Sequence, residues 1–238
     1  KNKVNLDLIA KDVQTKVIET SYGKIAIGGT GDDTYNGNFA LIIDLGGSDT
    51  YVSPQIDKNE MLLTPVRCII DFNGNDAYIG EDYCFGSGYF GIGMVIDMAG
   101  NDSYSAGSFS LGSALFGFGL LLDEGGSDIY KGNDFSQGSA AFGVGILHDR
   151  NSNDIYHCRQ FSQGFGFTSG IGILSDVSGD DSYQSSKIGE KKIETKLRSY
   201  SQGAALGLHG RSCGGIGIIF DHSGSDKYLA ELYSQSYA

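Results

Sequence analysis

Aspartate is the residue whose spacing could do chemistry in this chain. The phrase Asp-x-x-Gly-x-Asp-x-Tyr recurs as DLGGSDTY (44–51), DFNGNDAY (71–78), DMAGNDSY (97–104), DEGGSDIY (123–130), DRNSNDIY (149–156), DVSGDDSY (176–183) and DHSGSDKY (221–228), with a partial copy, GGTGDDTY, at 28–35. One row of carboxylates is Asp44, Asp71, Asp97, Asp123, Asp149, Asp176 and Asp221. The second is Asp33, Asp49, Asp76, Asp102, Asp128, Asp154, Asp181 and Asp226. The rows take 15 of the 29 acidic residues, so over half of the acidity is set in order. Hard cations such as Ca²⁺ take carboxylate and carbonyl oxygens, and Ca²⁺ is the cofactor such rows could hold. Neither row ever uses asparagine, while the position before the second aspartate freely takes Asn75, Asn101 and Asn153. That contrast favours a need for charge at the row positions.

The elements that position these residues follow from the period. Successive leading aspartates lie 27, 26, 26, 26, 27 and 45 residues apart. A fixed period of this size marks a solenoid. Helical repeats and propeller blades are longer, so the reading is all-β: a single-stranded parallel β-helix of about seven coils, rising ~4.8 Å per coil. With 37 glycines, 14 tyrosines, 13 phenylalanines and two prolines, the composition suits strands and tight turns. One strand precedes each leading aspartate, as in FGIGMVID (90–97) and FGFGLLLD (116–123). Alternation puts Phe116, Phe118 and Leu120 on one side and Gly117 and Gly119 on the other. The expectation is that the phenylalanine side fills the core, with a bulge after Leu120 turning Leu121 inward as well. An apolar exterior facing a partner or second layer is the alternative. Ser-Gln-Gly repeats at Gln137, Gln163, Gln202 and Gln235, with Leu111 in an earlier coil, and predicts a ladder of amides bonded along the rod axis. The tyrosines closing each phrase predict a stacked aromatic row.

Stacked like carboxylates ~4.8 Å apart repel by about 3.5 kcal/mol at an effective dielectric of 20, before salt screening. Two arrangements offset this. Backbone amides of the glycine turn can donate to each carboxylate, or Ca²⁺ can sit between coils. GGTGDDTYN (28–36) resembles the calcium-binding nonapeptide of RTX β-rolls, with Gly28, Gly29, Gly31, Asp33 and Tyr35 on pattern. The other copies depart from it: aspartate replaces the first glycine and the period is not nine. The full coil, DxxGxDxY followed by (F/Y)SQG, is similar to repeats in uncharacterised bacterial proteins, a resemblance that implies no activity.

Residues 1–27 lack the phrase and read as a capping segment, with VNLDLIAKDVQTKV (4–17) as an amphipathic helix; residues 28–238 form the repeat domain. About 18 extra residues interrupt the last period. The charged stretch near 185–199, carrying Lys187, Lys191, Lys192, Lys196 and Arg198, is read as an excursion from the rod. The chain opens at Lys1 and stops mid-coil at YSQSYA, which reads as a piece of a longer protein or as an end suited to end-to-end self-association.

A net charge of −12 argues against a nucleic-acid partner, and no apolar run reaches the ~20 residues of a transmembrane segment. Cys68, Cys84, Cys158 and Cys213, without a Cys-x-x-Cys, argue against a disulfide framework or zinc site. The one irregular polar cluster, LHDRNSNDIYHCRQ (147–160), carries His148, Arg150, His157 and Arg159, the candidate catalytic residues if the chain acts on a polysaccharide as a lyase or hydrolase. The reading preferred over catalysis is that these are outward side chains of one coil that drifted toward polar residues. The functional expectation is a structural or binding solenoid of an extracellular or cell-surface protein, Ca²⁺-stabilised through its aspartates. The alternative is the carbohydrate-active enzyme, and the partners to consider are a polysaccharide and end-to-end or lateral copies of itself.

Overall fold

The computed structural model describes residues 15–55, 57, 62–186, 199–208, 210, 213–230 and 233–234. Each period makes one coil of a parallel β-solenoid, and equivalent residues stack into columns. Face A is a nine-stranded sheet whose last seven strands are Phe39–Asp44, Val66–Asp71, Ile92–Asp97, Phe118–Asp123, Val144–Asp149, Ile171–Asp176 and Ile216–Asp221. Face B has eight short strands, from Thr34–Asn36 through Ser103–Ser105 to Lys227–Ala230, each beginning just after the aspartate turn. Face C has three strands, Gly88–Tyr89, Ala114–Leu115 and Ala140–Ala141, continued by bridges from Ala140 to Gly166 and from Gly166 to Ala205. Face C therefore occurs in five coils, so about five turns are three-sided, fewer than the period count of about seven. The earlier coil is two-sided because only Gly37 and Asn38 separate Thr34–Asn36 from Phe39–Asp44.

The columns are in register. Asp71 pairs with Asp97, Asp97 with Asp123, Asp149 with Asp176, and Asp176 with Asp221. The tyrosine rings of the phrase stack from Tyr35 to Tyr228 with centroids 4.4–5.1 Å apart and planes within 15°. A second aromatic column, Tyr83–Phe109–Phe135–Phe161–Tyr200–Tyr233, runs along the corner between faces B and C. That corner turns on left-handed backbone at residues other than glycine, such as Phe109 (φ 54°), Leu111 (φ 54°), Phe135 (φ 52°) and Gln137 (φ 53°). Stacking along the column offsets the steric penalty at Phe109 and Phe135.

The orientation of face A is the reverse of the sequence expectation. The ladder through Phe118–Asp123 carries no register shift, so there is no bulge after Leu120. Gly119, Leu121 and Asp123 point inward and are buried, whereas Phe118, Leu120 and Leu122 lie on the outer side, half-buried. Phe90, Phe116 and Phe142 stack on the outside at the corner between faces C and A, 51%, 46% and 41% exposed. The reason is the thinness of the solenoid at this end. A Cβ on Gly119 would lie 2.0 Å from the Ser113 carbonyl oxygen, and one on Gly145 would lie 2.2 Å from that of Ser139. The chain leading into face C crosses directly over face A, and the amides of Ile146, Ile173 and Ile218 donate to the carbonyls of Gly112, Gly138 and Gly164 at 2.8–3.0 Å. Farther along the coil the interior widens enough for the column Ile42, Val95, Leu121, Leu147, Leu174 and the tyrosines.

The glutamine column also differs in detail. Each Nε2 donates to backbone of face B rather than to another amide: Gln137 to Tyr130 and His157, Gln163 to Tyr156 and Gln184, Gln202 to Tyr183 and Leu229, at 2.9–3.4 Å. At the N-terminal end, Lys16–Thr20 pairs antiparallel with Gly23–Ile27 and closes face A. Val17 is thus in a strand rather than at the end of a helix. Residues 1–14, the charged excursion 187–198 and Gln235 lie outside the described residues.

Replacing Gly119 by alanine is expected to destabilise the protein by about 1–3 kcal/mol, because the new methyl meets backbone that must shift. Gly31→Ala, where nothing lies within 4 Å of the added carbon, is expected to stay within about 0.5 kcal/mol of the parent. Denaturant unfolding of the two variants checks the contrast.

Candidate functional site

The two aspartate rows lie on either side of the glycine turn joining face A to face B. Asp44, Asp71, Asp97, Asp123, Asp149 and Asp176 close their face A strands pointing inward and are fully buried. Asp49, Asp76, Asp102, Asp128, Asp154 and Asp181 sit five residues on, 1–2% exposed. Asp33, Asp221 and Asp226, in the terminal coils, are half-buried.

From Asp44 to Asp176, each oxygen of the first row has a donor. Oδ1 accepts the amide two residues on, from Gly46 to Asp44 at 2.8 Å, Asn73 to Asp71 at 2.9 Å and Gly125 to Asp123 at 3.0 Å, as an Asx-turn does. Oδ2 accepts a tyrosine hydroxyl from the preceding coil: Tyr78 to Asp97 at 2.7 Å, Tyr104 to Asp123 at 2.7 Å, Tyr130 to Asp149 at 2.5 Å and Tyr156 to Asp176 at 2.7 Å. Tyr35 and Tyr51 serve Asp44 and Asp71 in the same way. In the last coil Tyr228 donates to Asp221 of its own coil at 2.6 Å. Burial first, and then the neighbouring carboxylates, hold the Tyr104 and Tyr130 hydroxyls well above their ordinary pKa, so they remain donors. Sequence reasoning saw these tyrosines only as a stack. The signal for their second role was the 19–20 residues from each of Tyr51, Tyr78, Tyr104, Tyr130 and Tyr156 to the next leading aspartate.

The second row is satisfied on one side only. Oδ1 of each aspartate accepts the amide of its counterpart one coil earlier, in an unbroken ladder from Asp33 N–H to Asp49 through to Asp181 N–H to Asp226, at 2.6–3.0 Å. The Oδ2 atoms of Asp49, Asp76, Asp102, Asp128, Asp154 and Asp181 are buried and have no hydrogen-bond partner. Asp49, Asp76, Asp102 and Asp128 each lie close to carboxylates of their own and the neighbouring coil. In Asp49–Asp71–Asp76, Asp76–Asp97–Asp102, Asp102–Asp123–Asp128 and Asp128–Asp149–Asp154, one oxygen from each residue lies within 4.8 Å of the others. Asp33, Asp44 and Asp49 form such a group in the first coils. The surroundings are oxygen-rich: a Cβ added to Gly74 would meet the Gly47 carbonyl oxygen at 1.9 Å and both Asp76 carboxylate oxygens at 2.6 and 2.7 Å. A side chain at Gly74 would enter that oxygen-lined space. These buried rows can hold a metal ion, and their donor set is oxygen alone.

With no cation, the clustered charge is relieved by protons. Burial pushes the Asp71 and Asp181 carboxyls up to about 7 and that of Asp76 to about 6, with nearby carboxylates adding to the rise. The Asp97, Asp102, Asp128, Asp149 and Asp154 carboxyls move in the same direction for the same first cause.

The four candidate catalytic residues do not converge. His148 lies on the outer side of face A, beside Leu122 and Ser175 in the register, while His157 lies on face B beside Lys131 and Gln184. Arg150 is paired with Glu124 at 2.5 Å and Arg159 with Asp134 at 3.1 Å, at two different corners. Ser152, which replaces a repeat glycine, adopts φ 78° in its turn.

Tyr104→Phe removes the donor from Asp123 Oδ2 in the core and is expected to destabilise by about 1–3 kcal/mol, read from denaturant unfolding. The pH dependence follows from the raised carboxyls. In the folded state they keep protons that the unfolded chain has shed above about pH 4. Their contribution is therefore complete near pH 4 and is lost as pH rises through about 7. Thermal melts in chelator are expected to show a melting temperature that falls between these values. A rise over that range would mean that the rows are ionised and well paired without a metal.

Comparison with protein-family models, with curated proteins and with solved structures gave no match.

Proposed function

We propose that the chain is a structural or binding rod in which Ca²⁺ ions sit between coils and bridge the aspartate rows, and that it serves as a module of an extracellular or cell-surface protein. The observation that carries this reading is the file of six buried Oδ2 atoms without partners, one per coil. Backbone amides and tyrosine hydroxyls satisfy every other carboxylate oxygen in the middle coils, so the turn alone does not account for this one. An all-oxygen donor set with up to three carboxylates suits Ca²⁺, which tolerates irregular geometry, better than Mg²⁺, which demands a near-ideal octahedron and sheds its water reluctantly. The resemblance of residues 28–36 to the RTX nonapeptide supports the same ion, since Asp33 joins Asp44 and Asp49 in the first group. Millimolar Ca²⁺ outside cells would keep such sites filled, which supports the localisation. The regular outer faces suit a polysaccharide or a lateral copy of the chain as partner. Among the described residues no helix is long and apolar enough to cross a membrane.

A second reading is favoured by the raised carboxyl pKa values: a proton, rather than an ion, lies between each Oδ2 and its neighbour. One experiment separates the two. Chelated protein is titrated with Ca²⁺ and with Mg²⁺ at pH 8, following melting temperature and bound metal by equilibrium dialysis. Ca²⁺ at about 100 times its dissociation constant is expected to add about 2.7 kcal/mol per site. For a chain of this size that raises the melting temperature by several degrees, at about 2–4 °C per kcal/mol. Mg²⁺ is expected to do much less, and Asp102→Asn to lower the Ca²⁺ stoichiometry. No bound Ca²⁺ and an unchanged melting temperature would leave the proton-bridged rod.

A further inference from the structure

Arg67 breaks the repeat at an inward position. It pairs with Gly93 on face A, and the column continues as Gly119, Gly145, Gly172 and Gly217. In those coils glycine is needed because the chain crosses overhead. The coil before Arg67 has no face C strand among the described residues, and a cleft of about 50 Å³ opens beside the guanidinium. Phe39, Ile42 and Phe85 supply its apolar wall, and Asn38 and Ser53 are among its polar lining.

The guanidinium is under-satisfied. Nη2 donates to the carbonyl oxygens of Tyr83 at 3.0 Å and Ser87 at 3.2 Å, and Nε and Nη1 have no acceptor among the described residues. No described carboxylate forms an ion pair with it, although the chain carries a net charge of −12. The neighbouring thiols do not supply the missing charge: burial pushes Cys84 up to about 12 and raises Cys68, so both are neutral near pH 7. Arg67 is half-buried, and an anion seated beside a guanidinium that lacks a counter-charge gains charge-assisted hydrogen bonds from it. Arginine recognises a carboxylate through directed N–H bonds, and the apolar wall selects a ligand with an apolar body.

We propose that this cleft binds a small organic monocarboxylate, its carboxylate paired with Arg67 and its apolar body against Phe39 and Phe85. The site is separate from the aspartate rows and stands whether or not they hold a metal. The test titrates the whole chain with benzoate, with its neutral isostere benzamide and with inorganic phosphate, by calorimetry and by the methyl resonance of Met94, which also lines the cleft. Saturable benzoate binding near ~1 mM is expected, with benzamide and phosphate weaker by about tenfold or more. Arg67→Gln is expected to weaken benzoate by a similar factor and Arg67→Lys to retain part of it. Equal binding of benzamide, equal binding of phosphate, unchanged affinity in Arg67→Gln, or no saturable signal up to about 10 mM would each overturn the proposal. If Arg67→Gln does not fold, the Met94 shift of the parent protein with benzoate against benzamide decides.

Discussion

A carboxylate taken out of water must find its hydrogen bonds inside the protein or give up its charge. The rest of this structure is arranged around that demand. Six aspartates per row are sealed between faces A and B, and the bonds that satisfy them run between coils as well as within them. A tyrosine hydroxyl reaches forward to the next coil's first-row aspartate, and a second-row amide reaches forward to the next coil's second-row carboxylate. In the middle coils none completes its own turn. Stability is therefore shared between neighbours in a line, as in other solenoids. The tyrosine joins the two halves of the arrangement: its ring is a link in the aromatic column, and its hydroxyl fixes the row of charge.

The same logic explains why so many residues other than glycine sit in left-handed backbone. Apart from Ser152, all the positive-φ residues other than glycine lie in two corners, at equivalent places in successive coils. A single bulky residue there is strained by about 1–2 kcal/mol. Repeated in register, the same conformation puts Phe109 on Phe135 and Phe135 on Phe161 at 4.8–4.9 Å, and each stack returns about 0.5–1.5 kcal/mol. Glycine itself is kept for the places where backbone passes over backbone, as at Gly119, and for the oxygen-lined turn, as at Gly74.

The period, the parallel stacking and the aspartate and tyrosine columns could all be read in the chain, because a solenoid writes each contact as a repeated letter. Orientation was harder. Alternation in FGFGLLLD divides the residues into two sets but does not say which set faces in. The usual preference for burying the larger set pointed the wrong way for Phe118 and Leu120. What decides it is that face C lies against face A, a fact of the cross-section that no single strand encodes. The third face was also hidden, because its strands are two residues long. The oxygen-by-oxygen division of the second row was beyond reach for a different reason. The sequence can say that a carboxylate is there, but only the fold shows that Oδ1 of Asp102 is bonded and Oδ2 is not.

In a chain this regular, a departure carries more information than a match, because the repeat supplies its own control. Leu111 in place of glutamine changes little: it fills the same buried corner and leaves the face B carbonyls to the sheet. Ser152 in place of glycine is absorbed by its turn at positive φ. Arg67 in place of glycine is of another kind, since it puts a permanent charge where every later coil has only backbone. It is tolerated because the preceding coil is two-sided and leaves room, and the room is what makes it useful. The periodic part of the molecule and its one charged exception are thus opposite solutions to a single problem. The aspartates concentrate negative charge that asks for a cation or a proton, and Arg67 holds a lone positive charge that asks for an anion.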